Sequence, residues 1–128
     1  MYVYSQRDGK LYRDGRFIAQ GYSGHDVHKN VPGDDNLAML GPCPKGFYTI
    51  GPAYNHTPPA FQKNLGPVVM NLMPDRTNEM HGRSLFRIHG DSVAAPGTAS
   101  DGCLIFDHQT RISIEMGGDK RLQVVDHV

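Results

Sequence analysis

The sequence predicts a mainly β fold, on three observations. Its 15 glycines and 9 prolines in 128 residues exceed the ordinary combined usage of about 12%, so turns are frequent. Between these turns stand short runs rich in Val, Ile, Tyr, Phe and Thr, the composition of strands. One segment alone carries both a clear helix start and a clear helix stop.

In chain order, strands are predicted over residues 2–5, 10–12, 16–22, 47–54, 67–72, 85–89, 103–106 and 121–125. Asp8-Gly9 and Asp14-Gly15 lie between the first three runs, and Asp-Gly supplies the positive φ angles that tight hairpin turns need. The chain therefore opens with a small meander. The helix begins after Asp107, a side chain suited to an N-cap, and runs to about Met116, where Gly117-Gly118 offers a stop. Ile112 and Met116, one turn apart, give it a face to lay on the sheet. Shorter helical turns are expected over residues 34–40 and 61–65. A length of 128 residues fits one domain spanning 1–128, burying roughly two-thirds of its unfolded surface.

The charge balance excludes whole classes of partner. Lys plus Arg and Asp plus Glu are 13 each, so no basic field exists to hold a phosphate backbone, and nucleic acid is excluded as a partner. No apolar run approaches the roughly 18 residues of a membrane span. The opening MYVYSQRDGK has neither the basic start nor the apolar core of an export signal. Two cysteines, Cys43 and Cys103, allow one disulfide at most, which leaves open either a bridge or a reactive thiol.

The chemistry concentrates in FRIHGDSVAAPGTASDGCLIF, residues 86–106. A His-Gly pair, His89-Gly90, is followed fourteen residues after the histidine by Cys103 in Ser100-Asp101-Gly102-Cys103. Gly102 lets the backbone turn tightly and present N–H groups beside the thiol, and His89 is the base a thiol needs. This is the outline of a cysteine acyl-transfer site, with Cys103 as nucleophile and its thiolate expected to be enriched near neutral pH. Each residue also has a plainer reading: Cys103 as a buried structural thiol, His89 as a satisfied strand-end histidine, Ser100 as a turn residue bonding its own loop. Asp91 is a turn residue or an acceptor set behind the reacting groups. Tyr22, Ser23 and Gly24 line the cleft or form a hairpin turn.

The spacing of His89-Gly90 and Ser100-Asp101-Gly102-Cys103 resembles the signature of L,D-transpeptidase catalytic domains of the YkuD type. Further elements extend the resemblance across nearly the whole chain to the compact L,D-transpeptidase effectors delivered by type VI secretion. These are Gly21-Tyr22-Ser23-Gly24, Asn30-x-Pro32, Gly41-Pro42-x-Pro44-x-Gly46-x-Tyr48-x-Ile50 and Met80-x-Gly82-Arg83. The pattern departs from housekeeping members at two points. Asp101 stands where they have histidine, and no arginine follows Cys103-Leu104-Ile105. An arginine that binds the substrate's carboxylate must then come from elsewhere, with Arg83 and Arg111 as candidates. Cys43 falls where the effectors have an aliphatic residue, which suits a small apolar role.

The resemblance implies a compact β-sandwich of the L,D-transpeptidase kind with one or a few short helices, acting on peptidoglycan tetrapeptide stems without a cofactor. Cys103 would attack the carbonyl joining diaminopimelate to the terminal D-alanine, His89 would move the proton, and the Gly90 carbonyl would orient the imidazole. Main-chain N–H groups of Gly102 and Cys103 would form the oxyanion hole, and Ser100, Asp101, Arg83, Tyr22 and Ser23 would contact substrate. The small chain favours trimming and exchange over cross-linking. The expected partners are the secretion machinery and a cognate immunity protein, and the expected place of action is the periplasm of a target bacterium, reached without a classical signal peptide. Two other classes stay open: a cell-wall-binding β module without activity, and a metal-dependent hydrolase using His25-Asp26-x-His28.

Overall fold

The structure, a computed structural model, describes residues 1–56, 58 and 65–128; the helical turn expected over 61–65 falls mostly outside them. It is mainly β. Strands β1 (Tyr2–Ser5), β2 (Lys10–Arg13) and β3 (Arg16–Gln20) form the opening meander, followed by the two-residue β4 (Tyr22–Ser23). Strands β5 (Gly46–Ile50), β6 (Met70–Pro74), β7 (Arg87–His89) and β8 (Leu104–Ile105) come next, then helix α1 (His108–Met116) and strand β9 (Arg121–Val125). The strands join in the order β3-β2-β1-β9-β5-β6-β7-β8-β4. Its two ends, β3 and β4, are separated in sequence by Gly21 alone. The sheet therefore curls until its two edges meet, and it is nearly closed.

Two neighbour pairs are parallel, β1 with β9 and β7 with β8. Parallel neighbours need a crossover of a dozen or more residues, and between β7 and β8 that crossover is the segment from Gly90 to Cys103. The sequence pattern that carries the chemistry is thus also the topological link between two adjacent strands.

The core fills the inside of the curl. Tyr4 and Leu11 from the meander, Tyr48, Leu72, Ile88 and Leu104 from the sheet, and Ile114 from α1 belong to one buried cluster. The Tyr4 ring meets Phe106 edge-on at 6.0 Å between centroids, a favoured aromatic geometry that ties the two ends of the sheet together. Cys43 is buried in this cluster and its thiol is free.

Several boundaries differ from expectation for local reasons. The run at 16–22 breaks into β3 and β4 at Gly21, where an added Cβ would lie 2.1 Å from the Ile105 carbonyl oxygen. The run at 47–54 stops at Ile50 because Gly51-Pro52 follows, and proline cannot donate to a ladder. Residues 26–28 and 32–34 form 3-10 turns, the second in place of a longer helical stretch over 34–40. Helix α1 begins as expected, with the Asp107 carboxylate accepting from the Thr110 N–H at 2.8 Å. Its buried face is different: Thr110, Arg111 and Ile114 face inward, while Met116 is 81% exposed.

Candidate active site

Strand alternation places the reactive groups. Ile88 pairs with Leu104 and His89 with Ile105 across the parallel β7–β8 ladder. Phe86, Ile88, Leu104 and Phe106 point into the core, so Arg87, His89, Cys103 and Ile105 fall on the opposite face. One step back along the same register, Cys103 lies opposite Arg87. It is a diagonal neighbour of His89 across the parallel pair. The sequence brings His89 and Cys103 together through register, not through local proximity.

The imidazole is fixed from one side. His89 is 2% exposed, and its Nδ1 lies 2.8 Å from the Gly90 carbonyl oxygen. A carbonyl can only accept, so Nδ1 carries a proton. Gly90 has no room for a side chain: an added Cβ would lie 2.8 Å from Arg111 Nη1.

The thiol sits on a braced loop. Gly102 has φ +139°, and an added Cβ would lie 2.5 Å from Arg83 Nη2 and 2.8 Å from the Phe86 ring, so both conformation and space require glycine. Cys103 is partly buried, and its Sγ lies 4.0 Å from the Leu85 carbonyl oxygen. Burial pushes its thiol above the ordinary value, against the opposing pull of the Arg87 main-chain N–H and guanidinium charge. Burial thus works against the thiolate that the sequence leads one to expect, and Arg87 works for it. Arg87 was not singled out from sequence. The signal was available, because an Arg-x-His strand places arginine on the face of the histidine.

The remaining expected site residues divide into those that open onto the site and those that hold it. Ser100 is buried; its Oγ donates to the Cys103 carbonyl at 2.7 Å and accepts from the N–H groups of Gly24 and Gly102. Ser23 is buried too, donating to the Gly102 carbonyl at 2.9 Å and accepting from the Cys43 N–H. These two hydroxyls shape the loop. The Gly102 N–H is engaged by Ser100, so of the two expected oxyanion donors only the Cys103 N–H is without that commitment.

Arg83 gives its terminal nitrogens to four main-chain carbonyls, those of Asp35, Pro42, Gly41 and Asp101, at 2.8 to 3.1 Å. Its planar fork is a strut between the 35–42 segment and the cysteine loop. Tyr22 donates to the Asp91 carboxylate at 2.6 Å and accepts from the Ala99 N–H, while Asp91 also accepts from Ser92 and Gly97. Burial works against the charged form of Asp91, but these bonds outweigh it and hold the carboxyl below its usual range. Tyr22 and Asp91 thus pin the two ends of the 91–99 loop. Asp101 is the expected contact residue that stays open, 42% exposed at its side chain, with His25 Nδ1 3.7 Å away.

Two cavities flank this arrangement. One, of about 410 Å³, is lined by Cys103, Gly102 and Asp101 together with Leu85 and Met39. The other, of about 630 Å³, is lined by His89, Gly90, His108 and Arg111. Leu65 and Ala99 border both, so the cavities adjoin, with the thiol on one side and the imidazole on the other. The residues of the expected metal motif diverge instead: His28 turns to Asp34 at 2.7 Å and His25 toward Asp101.

The nearly closed β sheet thus carries an oriented imidazole and a cysteine on one face of two adjacent parallel strands. The sequence model of the Tlde1 domain matches residues 18–127, and the chain belongs to that family. The solved structure of Bdellovibrio bacteriovorus Bd1075 is similar over all of this chain, with a TM-score of 0.62 at 17% identity. This chain spans about half of that one, 48%, and the likeness is one of fold. No curated protein matches the chain. Among the described residues, no helix is long and apolar enough to cross a membrane.

Proposed function

We propose that the chain is a single catalytic domain that cleaves the bond between diaminopimelate and D-alanine in peptidoglycan tetrapeptide stems and exchanges the terminal D-amino acid, through a Cys103 acyl-enzyme. The observation that supports this most is the shared face of His89 and Cys103 on adjacent parallel strands, with Nδ1 held by the Gly90 carbonyl.

His89 Nε2 removes the thiol proton as the sulfur attacks the diaminopimelate carbonyl. The C–S bond forms, the carbonyl oxygen takes the negative charge, and the Cys103 N–H stabilises it, a donor of this kind being worth about 3 kcal/mol. The C–N bond then breaks, His89 returns the proton to the amine, and D-alanine leaves. Water completes hydrolysis to the tripeptide, and a free D-amino acid completes exchange. Asp101, carboxylate open in the thiol cavity, suits the side-chain ammonium of the diamino acid. Family membership supports delivery into the periplasm of a target bacterium and, in the producer, an immunity protein that covers the Cys103 cleft.

Mass spectrometry of purified disaccharide tetrapeptide, incubated with reduced protein, tests the reading. The expected product is the tripeptide, and in excess of another D-amino acid, the exchanged tetrapeptide. Unaltered tetrapeptide, or equal turnover by Cys103→Ala, overturns it.

A further inference from the structure

We infer that Arg111 recognises the C-terminal carboxylate of the departing or incoming D-amino acid, and so restricts this enzyme to stems ending in a free acid. The inference rests on the acyl-enzyme reading above and assigns the leaving-group side of that site.

The argument starts from the position of the proton. His89 must hand it to the leaving amine, so the D-amino acid occupies the cavity that His89 lines, the larger one of about 630 Å³. The incoming D-amino acid in exchange enters the same place, since exchange is the reverse of release with a different side chain. The same cavity is lined by Arg111. Its guanidinium reaches the neighbour of His89 because Gly90 has no Cβ there; one would lie 2.8 Å from Nη1.

Arg111 is 5% exposed, and its charge has no ion pair among the described residues. Nε donates to the Val68 carbonyl, Nη1 to Phe106 and Nη2 to Pro67, at 2.7 to 3.2 Å. Each terminal nitrogen carries a second N–H, and no acceptor for either is found among the described residues. The two carboxylates bordering this cavity are otherwise engaged, Asp91 by Tyr22 and the N–H groups of Ser92 and Gly97, Asp107 by the Thr110 N–H. Asp107 favours the Arg111 charge from a distance, but burial dominates and pushes its pKa down. A buried cation held only by neutral carbonyls is poorly compensated, and a planar carboxylate is the ligand its fork fits. Arg83, the other candidate, has both terminal nitrogens fully committed to carbonyls.

The test compares the tetrapeptide ending in D-alanine with the same stem ending in D-alaninamide. Wild type is expected to turn over the acid at least tenfold more efficiently, by kcat/KM, because the amide leaves the guanidinium without its counter-charge. Arg111→Gln is expected to lower turnover of the acid far more than that of the amide and bring the ratio close to one. Arg111→Lys keeps the charge without the fork and is expected to give an intermediate ratio. It decides the matter if the glutamine variant fails to fold. Equal use of acid and amide by wild type, or a variant that lowers both in proportion, overturns the inference while leaving the acyl-enzyme reading intact. Wild type that processes neither stem overturns the reading itself.

Discussion

At the scale of residues, the site depends on two backbone positions that accept no side chain. Gly102 fits under Arg83 and Phe86, and Gly90 leaves space for Arg111. The His-Gly and Ser-x-Gly-Cys elements were legible in the sequence because both use local patterns. The turn role of Ser100 was legible too, and its Oγ bonds its own loop at Gly102 and Cys103, but the commitments of Ser23 and Arg83 were not. Their partners are main-chain carbonyls and N–H groups far away in sequence, and a carbonyl leaves no trace in residue identity. The burial that works against the Cys103 thiolate was not legible either, since burial is a property of the fold. Thiol alkylation tests it. Modification follows the thiolate, so the rate at Cys103 is expected to rise with pH and to inflect above the ordinary thiol pKa of about 8.5. Cys43, fully buried and pushed up to about 12, is expected to stay unlabelled in the folded protein. A rate at Cys103 that levels off below pH 8 contradicts this account of its activation.

At the scale of elements, the sheet was legible where strands are short, alternating and bounded by Asp-Gly turns, and β1 and β9 match the predicted runs. Their parallel pairing was not legible, because it is long-range and has no local turn to announce it. The helix was found from its N-cap, yet its inner face was misassigned: Arg111 reads as a solvent residue in any periodicity argument, and here it is buried. The β1–β9 seam also has an electrostatic clasp. Asp119, just before β9, lies 2.7 Å from the Met1 ammonium and 3.1 Å from Arg13 Nε. Burial opposes its charge, but the Met1 ammonium, the Arg121 N–H and Arg13 outweigh it and hold the carboxyl down at about 2. Its folded pKa is thus below the ordinary carboxylate value of about 3.9. The stabilisation is fully present above pH 4 and is lost as pH falls from there toward 2. Asp119→Asn is expected to cost about 1 kcal/mol at pH 7 and to lower Tm less steeply between pH 4 and 2 than wild type. Parallel Tm profiles for the two proteins would remove the clasp from the account.

At the scale of the whole molecule, curling the sheet on itself places β4 against β8 and walls the cysteine loop between the meander edge and the 35–42 segment. That leaves two adjoining cavities, one for the thiol and one for the imidazole, so an acyl group and a leaving amine can each have a side of their own. Because Cys103 is proposed to carry the acyl group covalently, the most direct measurement is the intact mass of the protein during turnover of tetrapeptide stems. Rapid acid quench is expected to show an adduct equal to the stem minus its terminal D-alanine, located on Cys103 after digestion and missing in Cys103→Ala. Product formation with no adduct on Cys103 at any time point, or an adduct that persists in Cys103→Ala, would contradict the account.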